Sequence, residues 1–317
     1  MKVLITGSAG YLGTVILNHL SSSGYETVGL DLNESAEWQG AAGRFYRCDI
    51  TDRLAVSRII AGECPEAVIH FAGTTNRVRS RKKEYEIDIG GSRNLIEAAR
   101  QTPSVRKFIY SSSAAVYGAT SRKEQWLDES VQVNPGRYRY GINKKLTEEM
   151  LFSVNGISDL SVTALRICTV VGPLYSRPRS AVSFLMRLPV LPASFRDTRV
   201  QFMHEEDFAE LIARILEEKE ICGVYNLAPD SCTVVSEVVP EERFRRFPCR
   251  LLLPVMWLLW HLRVVNLQPA GLNYCLYPVV LDATRLAQRF DYHFRFTSSE
   301  AFLATVRKNR IPAGAKF

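Results

Sequence analysis

No C-x-x-C pair and no cluster of cysteine with histidine occurs in this chain. That removes the spacing of a structural zinc site or a thioredoxin-like redox pair, and no metal site is expected. The seven cysteines are odd in number and scattered. Such a set reads as reduced thiols in a cytoplasmic protein, not as a disulfide framework. Long apolar runs are also missing. The longest, Leu251 to Leu262, is too short to span a bilayer, so no stable membrane insertion is expected. A buried lid helix is its default reading; lining a greasy pocket or touching a membrane surface are the alternatives. Charge of one sign is not in large excess. A net charge of +7 and a pI of about 9.0 suit a phosphate-bearing substrate and are too weak to argue for nucleic acid. The chain opens directly on strand-like Lys2-Val3-Leu4-Ile5, so no signal peptide is expected ahead of the fold. Internal repeats and low-complexity segments are absent.

What the chain does have is a rhythm. Short β-branched and aliphatic runs alternate with helical stretches over most of its 317 residues, which predicts an α/β fold with a parallel sheet and crossover helices. Strands are expected at Lys2–Thr6, Glu26–Asp31, Arg44–Cys48, Ala67–Phe71, Lys107–Ser111, Ser161–Ile167 and Gly223–Leu227. Helices are expected to start near Tyr11, Asp52, Glu84, Tyr140 and Glu205. After Thr233 the rhythm breaks and prolines punctuate charged and apolar segments. The expected architecture is a doubly wound parallel sheet of Rossmann type over 1–172 and 199–232. A smaller, discontinuous substrate-binding lid is expected over 173–198 and 233–317.

Two local patterns point to chemistry. The first is Thr6-Gly7-Ser8-Ala9-Gly10-Tyr11-Leu12-Gly13, three glycines between a strand and a helix. The spacing is G-x-x-G-x-x-G, not the G-x-G-x-x-G of the general dinucleotide fingerprint, but the physics is shared. Gly7 permits the tight turn, Gly10 lets backbone approach a pyrophosphate, and Gly13 lets the helix pack closely on the sheet. The helix N-terminus then faces the phosphates. Asp31 ends the second strand, where a carboxylate can bind ribose hydroxyls and repel a 2′-phosphate. That favours NAD over NADP. Asp49-Ile50 either borders the adenine or, through Asp49, caps the following helix.

The second pattern is Tyr140-Gly141-Ile142-Asn143-Lys144. Residues four apart share a helix face, so the Lys144 ammonium can favour the base-competent phenolate of Tyr140. Ser111-Ser112-Ser113 ends the fifth strand, at the sheet edge where ligands of open α/β folds bind. Glycine turn, ribose carboxylate, strand-end serines and the Tyr/Lys pair come in the order that hydride-transfer chemistry requires.

In these residues the chain resembles the extended short-chain dehydrogenases/reductases of the NAD-dependent epimerase/dehydratase type. The carrying segments are TGSAGYLG at 6–13, Asp31, CDITD at 48–52, HFAG at 70–73, YSSSAAVYG at 110–118 and YGINK at 140–144. LRICTVVGP at 165–173, FMHEEDFAELI at 202–212 and GVYNLAP at 223–229 match as well. The resemblance implies Ser113, Tyr140 and Lys144 as catalytic residues. It implies Gly7, Gly10, Tyr11, Leu12, Gly13, Asp31, Asp49, Ile50, Phe71, Ala72, Gly73, Tyr140 and Lys144 as cofactor contacts. YSSSAAVYG is most similar to the UDP-galactose 4-epimerase branch, which implies a nucleoside-diphosphate sugar as substrate. A homodimer built on the helices Glu84–Gln101 and Tyr140–Phe152 is implied too. His204, in FMHEED, reads as structural, and His70 as a strand residue.

Departures from the family pattern refine the expectation. Ala114-Ala115 stands where the dehydratases carry Asp-Glu, which argues against 4,6-dehydration. Thr169 replaces a usual Asn, Val200-Gln201 a usual Arg-Asp with Arg199 one earlier, and Asp88 another usual Asn. Candidate substrate contacts are Arg77, Tyr117, Thr169 and Arg199. The basic run Arg77–Lys83 could clamp a phosphate, although charge runs more often face water. The function expected is a sugar-nucleotide epimerase working through a transient ketone. A dehydrogenase or reductase of a non-sugar hydrophobic alcohol or ketone is the alternative, and a non-catalytic dinucleotide-binding protein is the third.

Overall fold

The computed structural model describes residues 1–33, 43–74, 78, 80–119, 126–153, 159–175, 181–187, 191–245, 249–262, 264 and 268–308. Contacts between backbone segments divide the chain into two compact units. The first comprises Met1–Ser113, Asn143–Ile167 and Phe208–Tyr225. The second comprises Ala114–Ile142, Cys168–Asp207 and Asn226–Phe317. This division differs from the one read off the sequence. The chain leaves the sheet after Ser113, and the stretch up to Ile142 gathers with the second unit.

The alternating part of the chain supplies most of the first unit. In chain order it runs β1 (Lys2–Thr6), α1 (Tyr11–Ser22), β2 (Glu26–Asp31), β3 (Arg44–Arg47), α2 (Arg53–Glu63) and β4 (Ala67–His70). A π-helical segment, Glu86–Gly91, leads into α3 (Ser92–Gln101). Then come β5 (Lys107–Ser113), α4 (Arg139–Ser153), β6 (Ser161–Ile167), α5 (Glu205–Glu217) and β7 (Gly223–Leu227). Of these, α4, α5 and β7 each begin or end in the second unit. All seven expected strands are present in one sheet, ordered β7-β6-β5-β4-β1-β2-β3. The pairs β3·β2, β2·β1, β1·β4, β4·β5 and β5·β6 are parallel. Because β1 has β2 on one side and β4 on the other, the strand order reverses there. That is the switch point at which open α/β sheets bind ligands.

The strands read as near-continuous apolar runs because both faces are covered. Val3, Leu4, Ile5, Val28, Leu30, Val68, Ile69 and Phe108 are all buried. Three strand ends differ from expectation. β3 stops at Arg47, one residue before Cys48. β4 stops at His70, where Phe71 N–H still donates to Thr6 C=O at 3.1 Å. β5 continues two residues further, to Ser113, since Ser112 and Ser113 keep register with Arg166 and Ile167 of β6.

In the second unit a small core gathers Val116, Tyr117, Ala228, Leu281 and Ala283. Its longest helices wholly inside that unit are α6 (Cys249–His261) and α7 (Ser298–Lys308). α7 lies on the two-stranded pair formed by Phe202–His204 and Thr169–Val171, where Phe302 meets Phe202 at 5.0 Å between ring centroids.

Candidate active site

The glycine turn follows β1 directly. Gly7 has φ +70°, and a Cβ there would stand 2.6 Å from the Ala72 nitrogen. Only glycine tolerates both the left-handed backbone and the close pass of the chain after β4. Gly13 has a different task from the one expected. A Cβ on it would collide with the Gly7 carbonyl oxygen and Ser8 Cα, so it lets α1 pack on the turn itself. Gly10 is the N-cap of α1, its N–H donating to Gly7 C=O at 2.9 Å. Tyr11 and Leu12 form the first turn and are half-buried. Among the described residues Ser8 Oγ is buried with no hydrogen-bond partner, a polar atom left beside an open helix N-terminus. The Asp31 carboxylate closes the turn, accepting from Ala9 N–H at 3.0 Å and from Asn33 N–H at 3.2 Å. Glycine cradle, orphaned hydroxyl and ribose-side carboxylate together fit a dinucleotide.

The other cofactor candidates sit on the same edge. Phe71 and Ala72 are half-buried and Gly73 is exposed. Asp49 is exposed and accepts from Thr51 N–H and Oγ–H at 2.9 and 2.8 Å. It is not the helix cap: Asp52 caps α2, accepting from Ala55 N–H at 3.0 Å. The Ile50 side chain belongs to the core, pressed against Gly91, so only its backbone is available to a ligand.

Beneath this edge runs a chain of hydrogen bonds that the sequence did not announce. Ala72 N–H donates to Thr6 Oγ at 3.3 Å, and Thr6 Oγ lies 2.8 Å from His70 Nδ1. His70 Nε2 lies 2.8 Å from Ser92 Oγ, which donates to Asp88 C=O at 2.5 Å. Since the Ser92 proton is committed to that carbonyl, Ser92 accepts from Nε2–H, and Thr6 donates to Nδ1. The imidazole is thus neutral and fully engaged. Burial first, and the Lys144 ammonium second, push its pKa down to about 3. His70 is a structural strand residue.

Asp88 itself joins three donors. Its carboxylate accepts from Thr74 N–H at 2.7 Å, Thr74 Oγ–H at 2.8 Å and Asn143 Nδ2–H at 2.9 Å. An Asn side chain would bring one acceptor oxygen and an NH2 facing donors. That accounts for the departure at this position.

On the α4 side, Lys144 donates to Ser111 C=O at 2.5 Å and lies 4.7 Å from the Tyr110 ring centroid. The ammonium is therefore anchored to β5 two residues before Ser113, which is half-buried at the strand end. Tyr140 is half-buried in the first turn of α4, one helical turn ahead of Lys144 on the same face. Its ring meets Tyr138 at 5.8 Å between centroids, and Tyr138 meets Tyr274 at 5.2 Å. Gly141 lets this first turn approach the Ala115 carbonyl, where a Cβ would stand 2.5 Å away.

One turn past Lys144 the sequence reading missed Glu148. It is buried and takes a bidentate ion pair from Arg166 at 3.2 and 2.8 Å, plus a hydrogen bond from Ser112 Oγ–H. Ser112 and Arg166 are register partners on β5 and β6. Glu148 therefore clamps α4 onto the two strands that present Ser113. The signal was there: Tyr140, Lys144 and Glu148 continue one i, i+4 row.

The substrate candidates fare differently. Arg77 and Arg79 lie outside the described residues. The rest of its basic run, Arg81 to Lys83, is exposed on a short helix capped by Ser80. Tyr117 is buried, its single hydroxyl proton shared between Asn226 Oδ1 at 2.8 Å and Asp128 C=O at 3.0 Å. Thr169 is exposed and Arg199 half-buried beside Cys232. Gln201 is committed to the second unit's core, donating to Pro229 C=O and Leu281 C=O and accepting from Leu281 N–H. His204 stacks on Phe296 at 3.8 Å.

A model of the NAD dependent epimerase/dehydratase family matches residues 3–228. The chain belongs to that family. It is accordingly an NAD-dependent enzyme, and the glycine turn and Asp31 are the groups that fit its cofactor. An uncharacterized protein of Mycobacterium tuberculosis is 27% identical over 316 residues, covering 95% of this chain and 82% of that one. The UDP-glucose 4-epimerase of Yersinia enterocolitica is 36% identical over 186 residues, 54% of each chain. Among solved structures, the UDP-glucose 4-epimerase of Thermus thermophilus in complex with NAD superimposes with a TM-score of 0.79. It covers 100% of both chains at 24% identity, a likeness of fold.

Proposed function

We propose that this epimerase/dehydratase-family member is a sugar-nucleotide epimerase that works through a transient ketone. The observation that carries the reading is the anchoring of Lys144 to Ser111 C=O. It ties Lys144 of α4 to β5, the strand that ends in Ser113, which supports the reading. Ser113 Oγ–H donates to the substrate oxygen and Tyr140 Oη receives the hydroxyl proton. Lys144 orients the phenol-bearing turn and supplies positive charge beside it. Bound NAD supplies a hydride acceptor that can also give the hydride back. Tyr140 returns the same proton to the oxygen, so the enzyme ends with no net change in protonation. Ala114-Ala115 leaves no carboxylate directly after Ser113 for an elimination. The departure at Val200 removes the customary cation for the diphosphate, so Arg199 or the Arg77–Lys83 run takes that role in this reading.

The reading includes a cytoplasmic homodimer. Cys48, Cys64, Cys168, Cys222 and Cys232 are free. Tyr85 and Leu146 are exposed apolar side chains on the helical segments expected to pair.

Incubation with UDP-glucose or UDP-galactose tests the function: the other epimer should form without consumption of added NAD. A thermal-shift screen of nucleoside diphosphates should show a ligand giving about 2.7 kcal/mol of stabilisation at a hundredfold excess over its Kd. Stoichiometric NAD reduction with a hydrophobic alcohol, and no shift with any nucleoside diphosphate, would instead support the dehydrogenase alternative. That alternative draws on Thr169, Val200 and the apolar Leu251–Leu262 segment.

A further inference from the structure

The α6 helix is amphipathic the wrong way round. A surface helix ordinarily turns its apolar stripe inward. Here Val255, Trp257, Leu258 and, just past the helix, Leu262 and Val264 are each at least half exposed. Positions 255, 258 and 262 recur at the i, i+3, i+7 spacing of one helical face. Met256, Leu259 and Trp260 are the half-buried side, with Trp260 taking a cation–π contact from Arg139 at 5.8 Å. No helix among the described residues is long and apolar enough to cross a membrane.

Charge along this stretch of the sequence has one sign. From Arg243 to Leu281 the sequence carries Arg243, Arg245, Arg246, Arg250 and Arg263 and no aspartate or glutamate. Arg245 is exposed. Of the two acidic residues just before this stretch, Glu241 is paired with Arg196 at 2.8 Å. An anionic bilayer asks for an aliphatic face, an aromatic at the boundary and only positive flanks.

We propose that α6 is a peripheral docking element for an anionic membrane surface. It lies in the plane of the interface, with Val255, Trp257, Leu258 and Leu262 entering the acyl boundary and the exposed Arg245 meeting lipid phosphates.

The test uses the full-length protein and vesicles of phosphatidylglycerol mixed with phosphatidylcholine, compared with phosphatidylcholine alone. The wild type should cosediment with the anionic vesicles and be released by high salt. Its tryptophan emission should shift to the blue, and the shift should be lost in Trp257→Phe. Leu258→Ser should lower the partition coefficient about tenfold, and Arg245→Gln about fivefold. Both variants should keep the wild-type melting temperature, which separates lost binding from lost fold. A wild type that stays in solution with anionic vesicles overturns the proposal, and so does equal binding to both vesicle types. If sedimentation velocity shows self-association that Leu258→Ser abolishes, without vesicle binding, the face belongs to a second copy of this chain.

Discussion

Two helices, α4 and α6, break the same rule in opposite directions. α4 turns polar groups inward, burying Asn143, Thr147 and Glu148 while leaving Leu146 exposed. α6 turns apolar groups outward. In α4 each buried polar group finds a partner inside the first unit: Asn143 on Asp88, Thr147 on the Asn143 carbonyl at 2.9 Å, Glu148 on Arg166 and Ser112. In α6 the stripe stays exposed although Trp257 meets His261 of the same helix at 3.9 Å between ring centroids. An inverted helix that is satisfied internally marks a positioned site. One that is not satisfied calls for something outside the molecule. A buried polar network is worth having only when complete, and an exposed apolar patch costs solubility unless it is used.

That contrast can be broken at several points. Tyr140→Phe removes one transferable proton from the satisfied helix. Turnover of a verified substrate should fall about a hundredfold to ten-thousandfold, with NAD affinity, measured by titration, near wild type. Near-normal turnover would remove Tyr140 from the chemistry. Glu148→Ala strands Arg166 in the core and should cost roughly 3–5 kcal/mol of stability, read by denaturant unfolding. A loss below about 1 kcal/mol would mean that water enters and solvates the guanidinium.

The third prediction concerns acid. His70 has its pKa lowered from 6.5 to about 3 in the fold. Below pH 6.5 the unfolded chain binds a proton that the folded chain refuses, so stability is full above that value and falls as pH drops toward 3. Between pH 7 and pH 5 the loss from this group should be about 2 kcal/mol. His70→Asn should flatten that slope, and an unchanged slope would place the acid sensitivity elsewhere. The smallest effect belongs to the unsatisfied helix. Leu258→Ser should change folding stability by no more than about 0.5 kcal/mol. Leu151→Ala, at a fully buried position of α4, should cost roughly 2–5 kcal/mol. If the two costs converge, the exposed face of α6 is packed in solution.

Much of the first unit was legible in the sequence because its rules are local. Apolar runs of strand length between helical stretches located the seven strands, with errors of one or two residues at their ends. Those errors arose where register with a neighbouring strand, rather than composition, decides where pairing stops. The glycine turn was legible because a left-handed φ and close backbone passes leave few residue choices. The position of Asp31 at the end of β2 was legible because the strand itself was. Even so, the partner of Gly13 proved to be the turn and not the sheet. The split of the chain was less legible, since no composition change marks Ser113 as the point where it leaves the sheet.

By itself, then, the sequence determined the alternating architecture, the glycine turn after β1 and the one-face row Tyr140–Lys144. These follow from dihedral preference and helical periodicity acting within a few residues. Only the tertiary structure decided which polar groups are buried with partners. Asp88 meets Thr74 and Asn143, Glu148 meets Arg166 and Ser112, and His70 lies between Thr6 and Ser92. Most of these pairs stand far apart in the chain, and which hydroxyl or carboxylate loses its water is fixed by strand order and helix docking. The direction in which α6 faces was settled the same way, since an apolar helix carries the same residues whether its stripe ends in a core or in solvent.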